Sequence, residues 1–510
     1  MLAASLFLLL LPLAAPLLSL PQGSSFLLHR AKANHLASTS TLSASKKPSF
    51  GAETADDMVP FAATSVSRRD LLALGSSSSL LLLSTLASSE IKDTDYGLWG
   101  VLPLGPYKSK PSILSTVVPG QIWSITQKFG ILNVQVPIRM VVAKLKTGGL
   151  LVYNPVATTR QVLSLLAPIV EEHGPVEHVV LGSVALEHKA YASVFAQKFP
   201  SAKVWIQPGQ YAFPINLSPS LLGFPTSRTS YIPSVSEDCP WHDTFDTATL
   251  GPLISRDGAY GETVLHHRST RTLLVTDVVQ QVTKEVPAIF DTDPSPLMYH
   301  ARSTVDEVLE DTPATRERGW RRVVLFALFF QPAALKIQTL KGAIAARRPD
   351  VNPDFAGIYP WCWEGDDKTS FKALTGEGSG GLLVAPILRQ LILNRNPVET
   401  REFVDIVAKW NFKTIVPAHL KETLEFTGKD FKDAFGFLTA SGMKKGLPDP
   451  LPLDLALLRE IDVNLVSGGV LQKAPPLVGT KGVTREDVVK LSVYECRGEF
   501  CTTPFNKIDA

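Results

Sequence analysis

The sequence predicts an α/β protein, on three observations. Short apolar runs of strand length, residues 176–181 and 203–206 among them, alternate with segments whose apolar residues recur at helical spacing. One strand–helix–strand run has short links, the mark of a parallel βαβ unit with a right-handed crossover. Two further pairs of strand-like runs are joined by tight turns, Lys146-Thr147-Gly148-Gly149 and Arg268-Ser269-Thr270, as antiparallel hairpins require. With 510 residues, 45% of all residues apolar and 19% charged, the chain has the material for a sizeable core.

Residues 1–89 read as addresses rather than fold. Residues 2–20 are almost wholly apolar but interrupted by Pro12 and Pro16. This suits a signal peptide (1–22) better than a membrane span. Residues 23–66 are rich in Ser, Thr, Ala and Lys, with no acidic residue before Glu53, the composition of a plastid transit peptide. Ser67-Arg68-Arg69 then precedes a Leu/Ser run and the small residues Ala87-Ser88-Ser89, a twin-arginine-like signal over 67–89. In that order the three signals resemble the import path of a complex plastid, ending in the thylakoid lumen. The mature chain is expected to carry no integral membrane span.

Residues 90–119 form a Pro/Gly-rich lead-in, and the main domain is expected over 120–445. Residues 140–145 and 150–153 make the first hairpin, which Asn154-Pro155 ends. Val162, Leu165, Leu166, Ile169 and Val170 share one helical face, and Gly174-Pro175 stops that helix. The strand 176–181 runs through a short turn into a helix carrying Ala190, Val194 and Phe195. The strand 203–206 completes the βαβ unit, and Pro208-Gly209 closes it. Residues 217–240 are loop-rich. Residues 262–267 and 271–276 form the second hairpin, with Asp277 at its end. Residues 284–320 read as irregular, 323–335 as a buried strand or helix broken at Gln331-Pro332, and 333–347 as a helix. The stretch 284–380 is expected to supply pocket walls, with Trp361 and Trp363 alternating as core strand residues. Its glycines match no phosphate-binding loop. A helix over 399–410, with Phe403, Ile406, Val407 and Trp410 on one face, leads to a strand at 413–416 and Pro417-Ala418-His419. Residues 446–510 read as a C-terminal extension.

Composition excludes some classes. A net charge of +2 leaves no electrostatic footprint for nucleic acid. The four cysteines (Cys239, Cys362, Cys496, Cys501) contain no Cys-x-x-Cys pair, so neither a zinc ribbon nor a thioredoxin motif is present. Cys496 and Cys501 are a candidate disulfide pair in an oxidising lumen.

Three strand ends carry polar side chains that can converge: Glu187 and His188, Asp277, and His419. Two imidazoles and two carboxylates suit zinc, iron or manganese. The ordinary readings are a cap or packed ring for His188, an acid facing the helix dipole for Glu187, and a turn residue for Asp277. His266 and His267 face opposite sides of a strand. His267 is a candidate to reach the site, a solvated hairpin position being the alternative. His242 has no partner to name.

The order of elements resembles the metallo-β-lactamase fold and, within it, a plastid and bacterial group grouped under a domain of unknown function. The residues carrying the resemblance are Pro137-Ile138-Arg139-Met140, Gly148-Gly149-Leu150, His188, the run from His267 to Leu273, Asp277 and Pro417-Ala418-His419. It spans residues 120–435. It implies a four-layer αββα sandwich with its site at one edge of two sheets.

The departures matter equally. The superfamily motif HxHxDH falls on Ser183-Val184-Ala185-Leu186-Glu187-His188. Ser183 and Ala185 therefore stand where its first two histidines would be, and the third histidine of that first metal site has no counterpart near residues 256–261. What remains corresponds to the second site: Glu187, His188, Asp277 and His419. The resemblance implies one divalent metal at most, zinc foremost with iron or manganese as alternatives, or none. The activity it implies is mononuclear hydrolysis of a small ester, thioester, lactone or phosphoester, with Glu187 or Asp277 holding or accepting the water's proton. The rival reading is a non-catalytic binding or assembly module for a thylakoid protein. Ser183 and Ala185 favour the rival; the joint presence of His188, Asp277 and His419 favours the enzyme. An oxidoreductase ranks behind both, because diiron chemistry needs the missing ligands.

Overall fold

The computed structural model describes residues 93–94, 105–106 and 109–492, apart from 132, 211–217, 257, 353 and 379. The three N-terminal signals, Cys496 and Cys501 lie outside the described residues.

The first sheet has seven strands in sequence order: β1 (Ile113–Val118), β2 (Ile122–Ile131), β3 (Val134–Lys144), β4 (Leu150–Tyr153), β5 (Val176–Leu181), β6 (Lys203–Ile206) and β7 (Thr229–Tyr231). β1 to β4 form an antiparallel meander, and β4 to β7 run parallel. The crossover helices are α1 (Arg160–His173) and α2 (Leu186–Lys198). α1 starts where the Thr159 side chain accepts the Val162 amide, and ends at Gly174, whose φ of 100° favours glycine. The turn after β3 likewise uses Gly148 and Gly149, both at positive φ.

The second sheet contains β8 (Phe245–Ser255), β9 (Gly258–His267) and β10 (Thr272–Val275). A two-strand ribbon, β11 (Leu335–Ile337) with β12 (Trp361–Trp363), lies apart from it. The fourth strand of the second sheet is β13 (Thr414–Pro417), parallel to β10 in an otherwise antiparallel order β13-β10-β9-β8.

Side chains alternate across each sheet, and the alternation defines the layers. Val142, Val152 and Val179 pack on Val162 and Leu166 of α1 and on Phe195 of α2. Their neighbours Val141, Leu151, Tyr153 and Val180 point the other way, onto Leu265, Leu274 and Val416 of the second sheet. Val264, Leu273, Val275 and Ile415 on that sheet's far face join a third core with Phe403, Val404 and Val407. The order is helix, sheet, sheet, helix, the four-layer αββα sandwich.

Residues 284–392 form an insertion between the second sheet's third and fourth strands. It carries α3 (Ser295–Ala301), α4 (Pro313–Phe329), α5 (Leu340–Ala345), α6 (Asp367–Thr375), α7 (Pro386–Leu391) and the ribbon. α8 (Pro397–Val407) then leads into β13. Leu458 and Ile461, on the helix Ala456–Ser467, join the same third core. Among the described residues, no helix is long and apolar enough to cross a membrane.

Several elements differ from the sequence reading. β8 was not expected, because Gly251-Pro252 interrupts its pattern. A register shift between Leu250 and Leu253 accommodates the proline, which cannot donate to the ladder. β7 was hidden in the loop-rich 217–240. Residues 284–320 are not wholly irregular: α3 lies inside them, and α4 is capped by Thr312, whose side chain accepts the Thr315 amide ahead of Arg316, Arg318, Arg321 and Arg322. Residues 333–347 do not form one helix. Leu335–Ile337 pair with β12 instead, and only the short α5 remains helical. Ile406 is 49% exposed, so the buried face of α8 runs through Thr400, Phe403, Val404 and Val407.

Candidate metal centre

The C-terminal ends of β5, β10 and β13 converge at one edge of the sandwich. They bring together the four residues singled out in the sequence. One ligand-type atom each from Glu187, His188, Asp277 and His419 lies within 4.8 Å of the others. Glu187 and His188 occupy the first turn of α2, His188 being fully buried. Asp277 follows β10, and His419 follows β13.

The imidazoles are oriented from outside the group. The His419 Nδ1–H donates to the Pro137 carbonyl at 2.8 Å, leaving Nε2 as an open lone pair. That Nε2 lies 3.3 Å from His188 Nε2 and 3.3 Å from Asp277 Oδ1. Two facing imidazole lone pairs need a proton or a cation between them. Donors each about 2.1 Å from a tetrahedral zinc lie about 3.4 Å apart, so the two 3.3 Å separations at His419 and the donor chemistry fit one divalent ion.

The electrostatics drive the two imidazoles apart. Burial, then the neighbouring His419, pushes the His188 pKa down to about 3 against the pull of Asp277. Burial also opposes charge on His419, but Asp277, Glu187 and the Pro137 carbonyl outweigh it, and its pKa rises. Without an ion, a proton on His419 faces Asp277 and the neutral His188.

A buried polar frame fixes these loops. Arg139, on β3, donates to the Pro417 carbonyl at 2.5 Å and the Leu420 carbonyl at 3.1 Å, bracketing His419. Leu420 sits at a φ of 55°, a strained position for a leucine. Glu262, fully buried on β9, accepts the amides of Thr276, Asp277 and Val278 at 2.7, 2.9 and 3.0 Å. Burial, then the charge of Asp277, pushes its pKa up to about 8. Asn154, in the left-handed region that asparagine tolerates, accepts the Gly182 amide and donates to the Thr276 hydroxyl. It thereby ties the β5 loop to the β10 loop.

Arg139 was noted for the resemblance, but not for this role. Asn154 was read only as a strand end. Glu262 was missed: beside Thr263, His266 and His267 in the same strand, one more polar residue gave no signal of a buried carboxylate with fixed donors.

Ser183 and Ala185 do not join the ligand group. Ser183 is fully buried, its hydroxyl accepts the Ala185 amide at 3.1 Å, and its carbonyl accepts from Gln210. His267 does not reach the centre. It is 1% exposed, bonded to the Thr270 hydroxyl and packed edge-on against Phe245, so the solvated alternative is corrected as well. His266 stacks on Trp410 and bonds Asp246. His242 finds its partner in the Cys239 carbonyl.

A cavity of about 310 Å³ opens beside the centre. Glu187, Asp277 and His419 line it together with Tyr260 and Gln280, and Phe326, Phe330, Ile337 and Trp361 from the insertion form part of its wall. Residues 284–380 thus supply walls as expected, and α7 adds Ile387 and Leu388.

Two mixed sheets between helical layers, with a ligand-type group at the shared sheet edge, make the four-layer αββα sandwich of the metallo-β-lactamase-like fold. The chain belongs to the family described as Domain of unknown function (DUF4336), whose model matches residues 119–437. Similar solved structures include a metallo-β-lactamase from Pontibacter korlensis, 12% identical over 37% of this chain and 83% of that one, with a TM-score of 0.26. The DIM-1 metallo-β-lactamase is 11% identical over 64% and 98%, with a TM-score of 0.30. A flavodiiron core from Synechocystis sp. PCC6803 is 8% identical over 64% and 60%, with a TM-score of 0.31. At such scores the fold class rests on the layers and strand order themselves. No curated protein sequence matches the chain.

Proposed function

We propose that Glu187, His188, Asp277 and His419 hold one divalent ion, zinc foremost with iron or manganese as alternatives, and that the chain is a hydrolase of an ester-type substrate. The observation that carries this reading is the pair of 3.3 Å contacts at His419 Nε2, whose other nitrogen is anchored on Pro137. A bound ion would supply Lewis acidity and lower the pKa of water. The residues of the chain do the rest. Glu187, part-buried on the cavity wall, accepts the proton of the attacking water. Glu262 holds the Asp277 loop, and Arg139 holds the His419 loop. The order of the N-terminal signals supports a plastid, thylakoid-lumen location.

The test is the metal content of the full chain, purified without chelator, against His188→Ala and His419→Ala. The expected result is one ion per chain, lost in both variants. A metal-free wild type after zinc reconstitution, with variants of unchanged melting temperature, would turn the assignment to the non-catalytic assembly module that Ser183 and Ala185 favour.

A further inference from the structure

We infer that the cavity beside the metal centre receives the hydrocarbon chain of a neutral carboxylic ester, with the ester group at Glu187, Asp277 and His419. This rests on the hydrolase reading and narrows its substrate.

Three observations carry it. The cavity's size, about 310 Å³, is that of a small-molecule site. Its polar and apolar groups come from different parts of the fold. Glu187, Asp277 and His419 come from strand ends, whereas Phe330, Ile337, Ile387 and Ile392 come from the insertion and Ile131 and Val136 from the β2–β3 hairpin. These six apolar side chains are only part-buried, and a bound chain would remove their remaining surface from water. Finally, among the described residues no lysine or arginine lines the cavity. With the proposed ion bound, Glu187 and Asp277 offset its two positive charges, so a phosphate or carboxylate would meet no net counter-charge, which disfavours phosphoesters and free acids.

The reaction balances with water alone. The water oxygen bonds to the acyl carbon, the carbon–oxygen bond to the alcohol breaks, and the proton taken up by Glu187 passes to the leaving alkoxide. The products are an alcohol and a carboxylic acid, which ionises to the carboxylate by releasing its proton to solvent. Because Glu187 and Asp277 offset the charge of the proposed ion, no net positive charge retains that carboxylate.

The test uses the zinc-loaded full chain with p-nitrophenyl acetate, butyrate and octanoate. The expected kcat/KM rises about fourfold per methylene, the equivalent of ~0.8 kcal/mol, while p-nitrophenyl phosphate is not cleaved. Binding is read separately with 8-bromooctyl acetate, whose bromine quenches Trp361 on the cavity wall. Saturable quenching is expected, reduced in Trp361→Phe. Ile387→Lys and, on another wall, Ile337→Lys should each weaken quenching at least tenfold with zinc content and melting temperature retained. Equal rates for acetate and octanoate together with no saturable quenching would overturn the inference and leave the hydrolase reading intact. Saturable quenching without cleavage of any ester would support the chain pocket and overturn the hydrolase reading alone.

Discussion

Arg139 and Glu262 touch the backbone around the candidate ligands rather than the cavity, and their removal has separable consequences. Arg139→Lys keeps a cation but loses the fork that grips two carbonyls. Zinc affinity is expected to fall 10- to 100-fold, the usual effect of losing a group that orients a ligand. Competition with a chelator measures it, and unchanged affinity would dismiss Arg139 as a positioning residue. Glu262→Ala strands three buried amides and the Tyr260 hydroxyl. It should lower unfolding free energy by about 3 kcal/mol in urea titration. At this scale the sequence was informative where function and pattern coincide. His188, Asp277 and His419 stand at the ends of apolar runs, so their convergence followed from the topology. Glu262 sits inside β9, where a lone acid reads as a solvent-facing residue until the amides of Thr276, Asp277 and Val278 are known to lie against it.

Among the elements, β5 carries a pH dependence of its own. His178 accepts from the Trp205 indole at 3.2 Å and packs edge-on against Trp241. Burial, then Lys203, pushes its pKa down to about 4. It is neutral in the fold and titrates near 6.5 when unfolded. Its stabilising effect is therefore complete above pH 6.5 and is lost as pH falls towards 4, by about 3 kcal/mol in all. His178→Gln should flatten that part of the pH–stability curve; an unchanged slope would refute the assignment. The strands β4, β5, β6 and β13 were legible because each is short, mostly apolar and punctuated by glycine or proline, whereas β3 was read only over 140–145 and β10 from its hairpin turn. β8 and α4 were not, for opposite reasons. A proline at a bulge disguises the strand, and a helix whose opening turns are charged hides its periodicity. Lys336 and its neighbours show tertiary pairing overriding local helical preference, since β11 exists only against β12.

For the whole molecule, the proposed ion is a stability term. At a free zinc concentration one hundred times its dissociation constant, the folded state gains about 2.7 kcal/mol. Thermal melts with zinc and with chelator should separate accordingly, and coincident melts would argue against a specific site. The class of architecture was readable from strand–helix order, and so was the source of the cavity walls. Their apolar character was not, because the insertion's aromatic and aliphatic residues come from five separate elements, α4, β11, α5, β12 and α7, whose inward faces only the packed structure reveals.

His188 and His419 stand 231 residues apart in the chain, and β13 docks beside β10 only after the whole insertion has been accommodated. Contacts of such long range form late and slowly. The centre therefore completes near the end of folding. Acquisition of zinc during refolding would serve as a clock for chain closure, and chains truncated before residue 414 would never start it.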